Sequence, residues 1–191
     1  LNDDCRSLRG SLQACGRISV RIAVGDPDEV FTPLAPPSPG LMTSPEVSEL
    51  CRNLLRLQLV NQQQLEEALA DLPYAQQKPE NLILLLQQRN LLTSYQASQL
   101  LKDDLTGLRL GKYMLLYHNG SGSFSRVFRA RSLEDGSMVG LKVLRRRWGD
   151  DPKLVAQFLR EAQQGKMLRH ENIVPIYEVG QDDGQLYLTL E

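Results

Sequence analysis

The sequence has few of the residues that build metal sites, disulfide frameworks or membrane spans. It contains 3 cysteines and 2 histidines among 191 residues, and the cysteines Cys5, Cys15 and Cys51 form no C-x-x-C pair. An odd, unpaired set of cysteines argues against disulfides or zinc and suits a reducing cytosol. The longest purely aliphatic run, residues 82–86, is far shorter than the roughly 20 residues that cross a bilayer. We therefore expect a cytoplasmic protein, with no metal site and no membrane segment in this part.

The sequence also lacks an excess of charge of either sign. It has 22 basic and 23 acidic side chains, and its formal net charge is −1. Without a basic field, nothing predicts binding to nucleic acid or to an anionic membrane. The N-terminus carries Asp3 and Asp4 and no apolar stretch, so it does not resemble a signal peptide. Because the chain begins with Leu1 and stops at Glu191 within an apolar alternating run, we expect it to be a piece of a longer protein.

Residues 1–43 show no sustained helical or strand periodicity. Residues 18–24 alternate like a short strand, but no nearby segment is a convincing partner for them. Four prolines and a glycine follow: Pro33, Pro36, Pro37, Pro39 and Gly40. Prolines at this density remove backbone donors and favour extended, solvated chain. The segment is predicted to be a disordered tail and proline-rich linker, with a proline-rich ligand for a partner domain as the alternative.

Residues 44–106 carry the signals of four helices. Ser44, Asn61 and Thr93 are capping residues, and Pro45 and Pro79 suit first turns. The pattern around Asn61 recurs 32 residues later around Thr93. Two such helical hairpins would bury each other's apolar faces in a small four-helix unit. In the fourth helix the inward residues are predicted to be Ala97, Leu100 and Leu101. The glutamine-rich faces offer a surface for a protein partner but no catalytic chemistry.

Residues 110–191 are predicted to contain three strands, one helix and two further strands. The first two strands flank a glycine turn, the third carries Lys142, and the helix carries Glu161. Glycines let backbone N–H groups approach an anion closely, and a strand lysine supplies a fixed positive charge. Together they indicate a lid over nucleotide phosphates. Lys142 lies between apolar neighbours, so alternation alone leaves open whether it is an ordinary exposed lysine. The basic run at residues 145–147 is predicted to be a solvated loop, with a contact to an acidic partner or substrate as the alternative.

Two other nucleotide-binding patterns do not fit the glycine turn. In a dinucleotide fold the glycines open a helix, whereas Phe124, Val127 and Phe128 continue here as a strand pattern. A P-loop requires Gly-Lys followed by Ser or Thr, and the turn has none.

The order of these parts resembles the small lobe of a eukaryotic-type (Hanks-type) serine/threonine protein kinase of the kind found in bacteria. The motifs are the glycine hairpin, Lys142, Glu161, the run at residues 170–174 and the strand that ends at Leu190. The resemblance covers about residues 110–191 and implies an α+β fold, with a five-stranded antiparallel sheet and one helix following the four-helix unit. The leader, around residues 91–97, resembles those of planctomycete-type kinases.

The resemblance also implies the roles of individual residues. Lys142 would bind the α- and β-phosphates of ATP and pair with Glu161. Val127 and Gly140 would pack on the adenine, Leu190 would guard the back of its pocket, and Glu191 would begin the hinge. The loop residues over the phosphates would be Gly120, Ser121, Gly122, Ser123, Phe124 and Ser125.

The sequence departs from the family pattern in several places. Ser125 stands at the position of the third glycine of the loop, and Asn119 replaces the aliphatic residue before the first glycine. Gly140 replaces the usual alanine, which slightly enlarges the adenine pocket. The catalytic H-R-D and metal-binding D-F-G motifs do not occur in these residues. The resemblance thus implies that this chain is the ATP-binding part of a kinase. The Mg²⁺ ligands and the catalytic loop would belong to a part that is missing here. The full-length kinase would transfer phosphate from ATP to Ser or Thr residues of proteins. The alternatives are a non-catalytic regulatory or adaptor protein that acts through the helical unit, and a degraded kinase remnant.

Overall fold

The computed structural model describes residues 23–24 and 44–191, and the rest of the predicted tail and linker lies outside the described residues. The helices are α1 Pro45–Arg56, α2 Gln62–Ala70, α3 Pro79–Gln88, α4 Ser94–Leu100 and α5 Pro152–Met167. The strands are β1 Ala23–Val24, β2 Arg109–Leu110, β3 Tyr113–Ser121, β4 Ser125–Ser132, β5 Met138–Leu144, β6 Ile176–Asp182 and β7 Gln185–Leu190.

Local capping signals fix where the first helices begin. The Ser44 side chain accepts a hydrogen bond from the Val47 N–H, as expected at the start of α1. Asn61 and Thr93 each form a capping box with the glutamine three residues later, Gln64 and Gln96. The two predicted repeats therefore begin their second helices in the same way.

The four helices enclose a single apolar cluster. Leu54, Leu65, Leu82 and Leu86 are at most 1% exposed within it, so each contributes roughly 1.5–3 kcal/mol of burial. The predicted inward position of Leu101 is wrong, because α4 ends at Leu100 and the Leu101 side chain is 56% exposed.

The strands form one sheet in the order β1-β6-β7-β5-β4-β3-β2. Five of them are the predicted antiparallel strands. The two-residue strand β2 at one edge was missed, because two residues are too few to show a period in the sequence. At the other edge, β1 lies within residues 18–24, which alternate like a strand in the sequence, and it pairs in parallel with β6, a partner that the sequence did not indicate.

The two faces of the sheet bury different clusters. The face that carries Leu141, Val143 and Tyr187, here called the outer face, packs beneath Tyr95 of α4. The face that carries Leu144 and Leu188, here called the inner face, packs against α5. Strand alternation thus places Lys142 on the inner face with Leu144.

Two boundaries after α5 differ from the sequence prediction. The strand predicted to start at residue 173 starts at Ile176. A hydrogen bond from the Ile173 N–H to the His170 carbonyl closes a turn there, and the Ile173 and Val174 side chains are exposed. The helix ends at Met167, two residues before the predicted Arg169. None of the helices in the described residues has the length and hydrophobicity of a membrane-spanning segment.

Candidate functional site

The glycine-rich segment forms the tip of the β3–β4 hairpin. Gly120 and Ser121 end β3, and Ser125 begins β4. The Gly122 N–H donates to the Ser125 carbonyl at 2.9 Å and closes the turn. A side chain at Gly120 would meet no atom within 4 Å. The loop therefore leaves open space above its backbone, as a lid over a ligand requires.

Residues 145–148 hold the tip of the glycine loop, a contact that the sequence did not indicate. Arg145 donates through its guanidinium to the Gly122 carbonyl at 3.0 Å, and its backbone N–H donates to the Phe124 carbonyl at 2.9 Å. The Ser123 carbonyl accepts from Arg147 at 3.3 Å and from the Trp148 indole at 3.2 Å. The predicted solvated loop is thus a short 3₁₀ turn, residues 146–148, next to a residue that anchors the glycine loop.

Lys142 and Glu161 form an ion pair between β5 and α5. Lys142 is flanked in the sheet by Val127 of β4 and Leu188 of β7. Glu161 lies on the α5 face that turns toward the sheet, and its side chain stays 53% exposed while that of Lys142 is 23% exposed. The pair is therefore accessible to a ligand.

A cavity of about 190 Å³ lies between the loop, β5 and α5. Lys142 and Glu161 are the charged residues in its lining. Its remaining lining residues are Gly122, Ser123, Phe124, Ser125, Leu144, Leu154, Gln157 and Phe158. Most of the predicted phosphate-binding residues are thus gathered around one space.

The residues predicted to contact adenine lie farther along the same sheet and do not line this cavity. Gly140 of β5 pairs with Leu190 of β7. A methyl group at Gly140 would lie 3.1 Å from the Leu190 Cβ. The Glu191 N–H donates to the Pro175 carbonyl at 3.3 Å. Val127 sits beside Lys142, so it connects the two groups of predicted residues.

The cavity suits a phosphate chain better than a resident metal ion. One ammonium group and the loop backbone face the space, with Glu161 as the single carboxylate in the lining. Across residues 44–191, no group of three or more His, Cys, Asp or Glu side chains could hold a metal ion. A divalent ion there would therefore arrive with a nucleotide or use ligands outside these residues.

The comparisons with known proteins cover the part of the chain that carries this cavity. Residues 113–191 match the protein kinase domain family. Serine/threonine-protein kinase PrkC of Bacillus subtilis is 35% identical over 88 residues, which are 46% of this chain and 14% of PrkC. Serine/threonine-protein kinase pkn3 of Myxococcus xanthus is 40% identical over 81 residues, 42% of this chain and 15% of that kinase. CBL-interacting protein kinase 32 of Oryza sativa is 39% identical over 83 residues, which are 44% of this chain and 19% of that kinase.

The chain thus spans less than a fifth of the length of these relatives. Among solved structures, the kinase domain of Mycobacterium tuberculosis PknI matches with a TM-score of 0.38 and 23% identity, over 44% of this chain and 33% of that one. The resemblance inferred from the motifs is confirmed by the family match and by the bacterial relatives.

Proposed function

We propose that this chain, whose residues 113–191 match the protein kinase domain family, is the ATP-binding part of a serine/threonine protein kinase. In the full-length parent, the γ-phosphoryl group of ATP would pass to Ser or Thr hydroxyls of protein substrates. Residues 110–191 would form a truncated small lobe, preceded by the helical unit of residues 44–106.

One observation carries the proposal: the Lys142–Glu161 pair faces the glycine loop across a single cavity. A lysine that holds the α- and β-phosphates needs a counter-charge to orient it before nucleotide arrives. Glu161 supplies that charge from a helix, and a helix can move relative to the sheet. The pair would thus keep Lys142 directed toward the phosphates and give the helix a means of control.

The loop would cover the phosphates with its backbone N–H groups. Its tip is held from outside by Arg145, Arg147 and Trp148. These contacts use loop carbonyl oxygens and leave loop N–H groups for an anion. Mg²⁺ would arrive with the nucleotide or use ligands outside the described residues, and it would supply positive charge that neutralises the phosphates. Phe124 would shield the phosphates from water.

Adenine would sit farther along the inner face of the sheet. Gly140 pairs there with Leu190, and Val127 lies beside Lys142, two residues along β5 from Gly140. Glu191 would offer backbone groups to the edge of the base. Because Gly140 has no side chain, Leu190 keeps its position, whereas the methyl group of an alanine would lie 3.1 Å from the Leu190 Cβ.

The test is phosphoryl transfer from γ-labelled ATP to a generic protein substrate. The 191 residues contain neither H-R-D nor D-F-G, so the chain alone is expected to transfer no phosphate. The full-length parent is expected to transfer phosphate, and Lys142→Met in the parent should abolish the transfer. A matched control is Lys153→Met, which changes an exposed α5 lysine outside the cavity lining. A parent that binds partners through the helical unit but transfers no phosphate would support the non-catalytic adaptor instead.

A further inference from the structure

A second cavity, of about 350 Å³, lies on the outer face of the sheet. Its floor includes Leu115, Phe128 and Val143, which are at most 5% exposed. Tyr95 and Gln99 of α4 line one side. We call this space the outer groove; it lies on the other side of the sheet from Lys142, so it is separate from the site described above.

Arginines dominate the charged lining of the outer groove. Five contribute, namely Arg109, Arg126, Arg145, Arg146 and Arg147. The one acidic residue in the lining, Asp104, is already occupied, since its carboxylate accepts from Gln99 at 2.9 Å, Thr106 at 2.8 Å and Gly107 at 3.1 Å. The groove therefore carries an excess of positive charge over an apolar floor.

Most of this positive charge is not neutralised within the described residues. Arg146 is the member of the set that pairs with a carboxylate, that of Asp183 at 3.2 Å. Arg109 donates to the Gly111 carbonyl at 2.7 Å. Arg145 and Arg147 donate to the glycine-loop carbonyls. Within the part of the chain that the structure describes, the Arg126 side chain forms neither a hydrogen bond nor an ion pair, although its charge acts on the Tyr95 phenol. Solvated surface arginines usually alternate with acidic residues, and this set does not.

Each guanidinium has five N–H donors in a planar fork. Arg145 uses two of them on the Gly122 carbonyl and Arg147 uses one on Ser123. The remaining donors match the oxygens of a phosphate group, which arginine binds more specifically than lysine does. We propose that the outer groove binds a phosphate group, either as the free ion or on a phosphorylated serine or threonine side chain.

Such a ligand would be linked to the glycine loop through shared residues. Arg145 and Arg147 line the outer groove and also hold the Gly122 and Ser123 carbonyls. A phosphate group that draws these guanidinium groups toward the groove changes their hydrogen bonds to the loop. Binding in the groove should therefore change the environment of Gly122 and Ser123 at the tip of the glycine loop.

The test is an NMR titration of the 191-residue chain with inorganic phosphate, at constant ionic strength set with chloride. Saturable shifts are expected for the backbone amides of Gly122 and Ser123 and for groove residues. Arg126→Gln removes one charge without removing a side-chain hydrogen bond or ion pair within the described residues, and should weaken binding about tenfold. Arg52→Gln makes the same change at an exposed arginine of α1 and should leave the affinity unchanged.

Two further arms locate the ligand and identify its source. Because Lys142 belongs to the phosphate site proposed on the inner face, Lys142→Met should remove any phosphate bound there, while the saturable shifts of the groove residues persist. A peptide that contains phosphoserine, compared with its unphosphorylated form, shows whether the groove takes a chain-borne phosphate or the free ion alone. Equal affinity in Arg126→Gln and Arg52→Gln, or loss of the groove-residue shifts in Lys142→Met, would overturn the assignment. Shifts that do not saturate would overturn it as well.

Discussion

The Thr93 hydroxyl of α4 donates to the Leu116 carbonyl of β3 at 2.6 Å. Leu116 sits where the β3–β4 register shifts between Leu115 and Tyr117, so its carbonyl is free to accept from the helix. Gln96, the partner of Thr93 in the capping box, donates to the Leu115 carbonyl at 3.1 Å. The two residues that start α4 thus also fix the helices to the strand that leads into the glycine loop.

Thr93 should therefore matter more to stability than its counterpart in the first repeat. Thr93→Ala removes a cap and the bond to Leu116, whereas Asn61→Ala removes a cap alone. We expect losses in the free energy of unfolding of about 2 and about 1 kcal/mol, respectively. Urea unfolding of both variants measures the difference. Equal losses would show that the bond from α4 to β3 contributes nothing.

Glu161→Gln should change stability little, although it breaks the ion pair with Lys142. Both side chains are partly exposed, Lys142 by 23% and Glu161 by 53%, and such pairs contribute less than about 1 kcal/mol. The measurement is the free energy of urea unfolding of Glu161→Gln, compared with that of Glu171→Gln, which makes the same change at an exposed glutamate. A loss above about 2 kcal/mol would mean that the pair is part of the structural framework and not mainly a ligand-orienting device.

Gly140→Ala should destabilise the chain by crowding Leu190. The new methyl group would lie 3.1 Å from the Leu190 Cβ and 3.5 Å from the Glu191 carbonyl oxygen, so β7 must shift. Relative to Gly120→Ala, where no atom lies within 4 Å, we expect the free energy of unfolding to be about 1 kcal/mol lower. Chemical denaturation of the two variants compares them, and equal stability would show that β7 yields without cost.

Stability should fall in alkaline solution partly through Cys51. Burial raises the pKa of its thiol from 9.0 to about 11. Below pH 9 the thiol is neutral in both states. As pH rises from 9 to 11, the unfolded chain ionises there while the folded chain does not, so unfolding becomes more favourable.

Between about pH 8 and pH 11, the wild-type chain should lose about 2 kcal/mol more stability than Cys51→Ala loses. Urea unfolding at both pH values measures this difference. Because Cys5 and Cys15 are present in both chains, the difference isolates Cys51. Parallel losses would contradict the assigned cause.

The sequence predicted the features that depend on residues close together in the chain, above all the helix starts. The helix starts after Ser44, Asn61, Thr93 and Asp151 are confirmed because each depends on a side chain and backbone N–H groups two or three residues away. The exposed position of Leu101 was missed because the final turn of α4 depends on tertiary packing.

The candidate site was predictable in its residue types but not in its geometry. Apolar residues flank Lys142 on both sides, so only the pairing of β5 with β4 and β7 shows which face it occupies. The contact between Arg145 and Gly122 joins residues 23 apart, and no local pattern marks it. The outer groove was missed because the basic run at residues 145–147 is brought together with Arg109 and Arg126 only by the folded sheet.

The most direct test of the account is the dissociation constant for a fluorescent ATP analogue, measured with the 191-residue chain. We predict saturable binding that Lys142→Met weakens at least about tenfold, the equivalent of one charge-assisted contact to phosphate. Lys153→Met should bind as the wild-type chain does. Equal affinity in all three proteins would contradict the claim that Lys142 and the glycine loop form a nucleotide phosphate site.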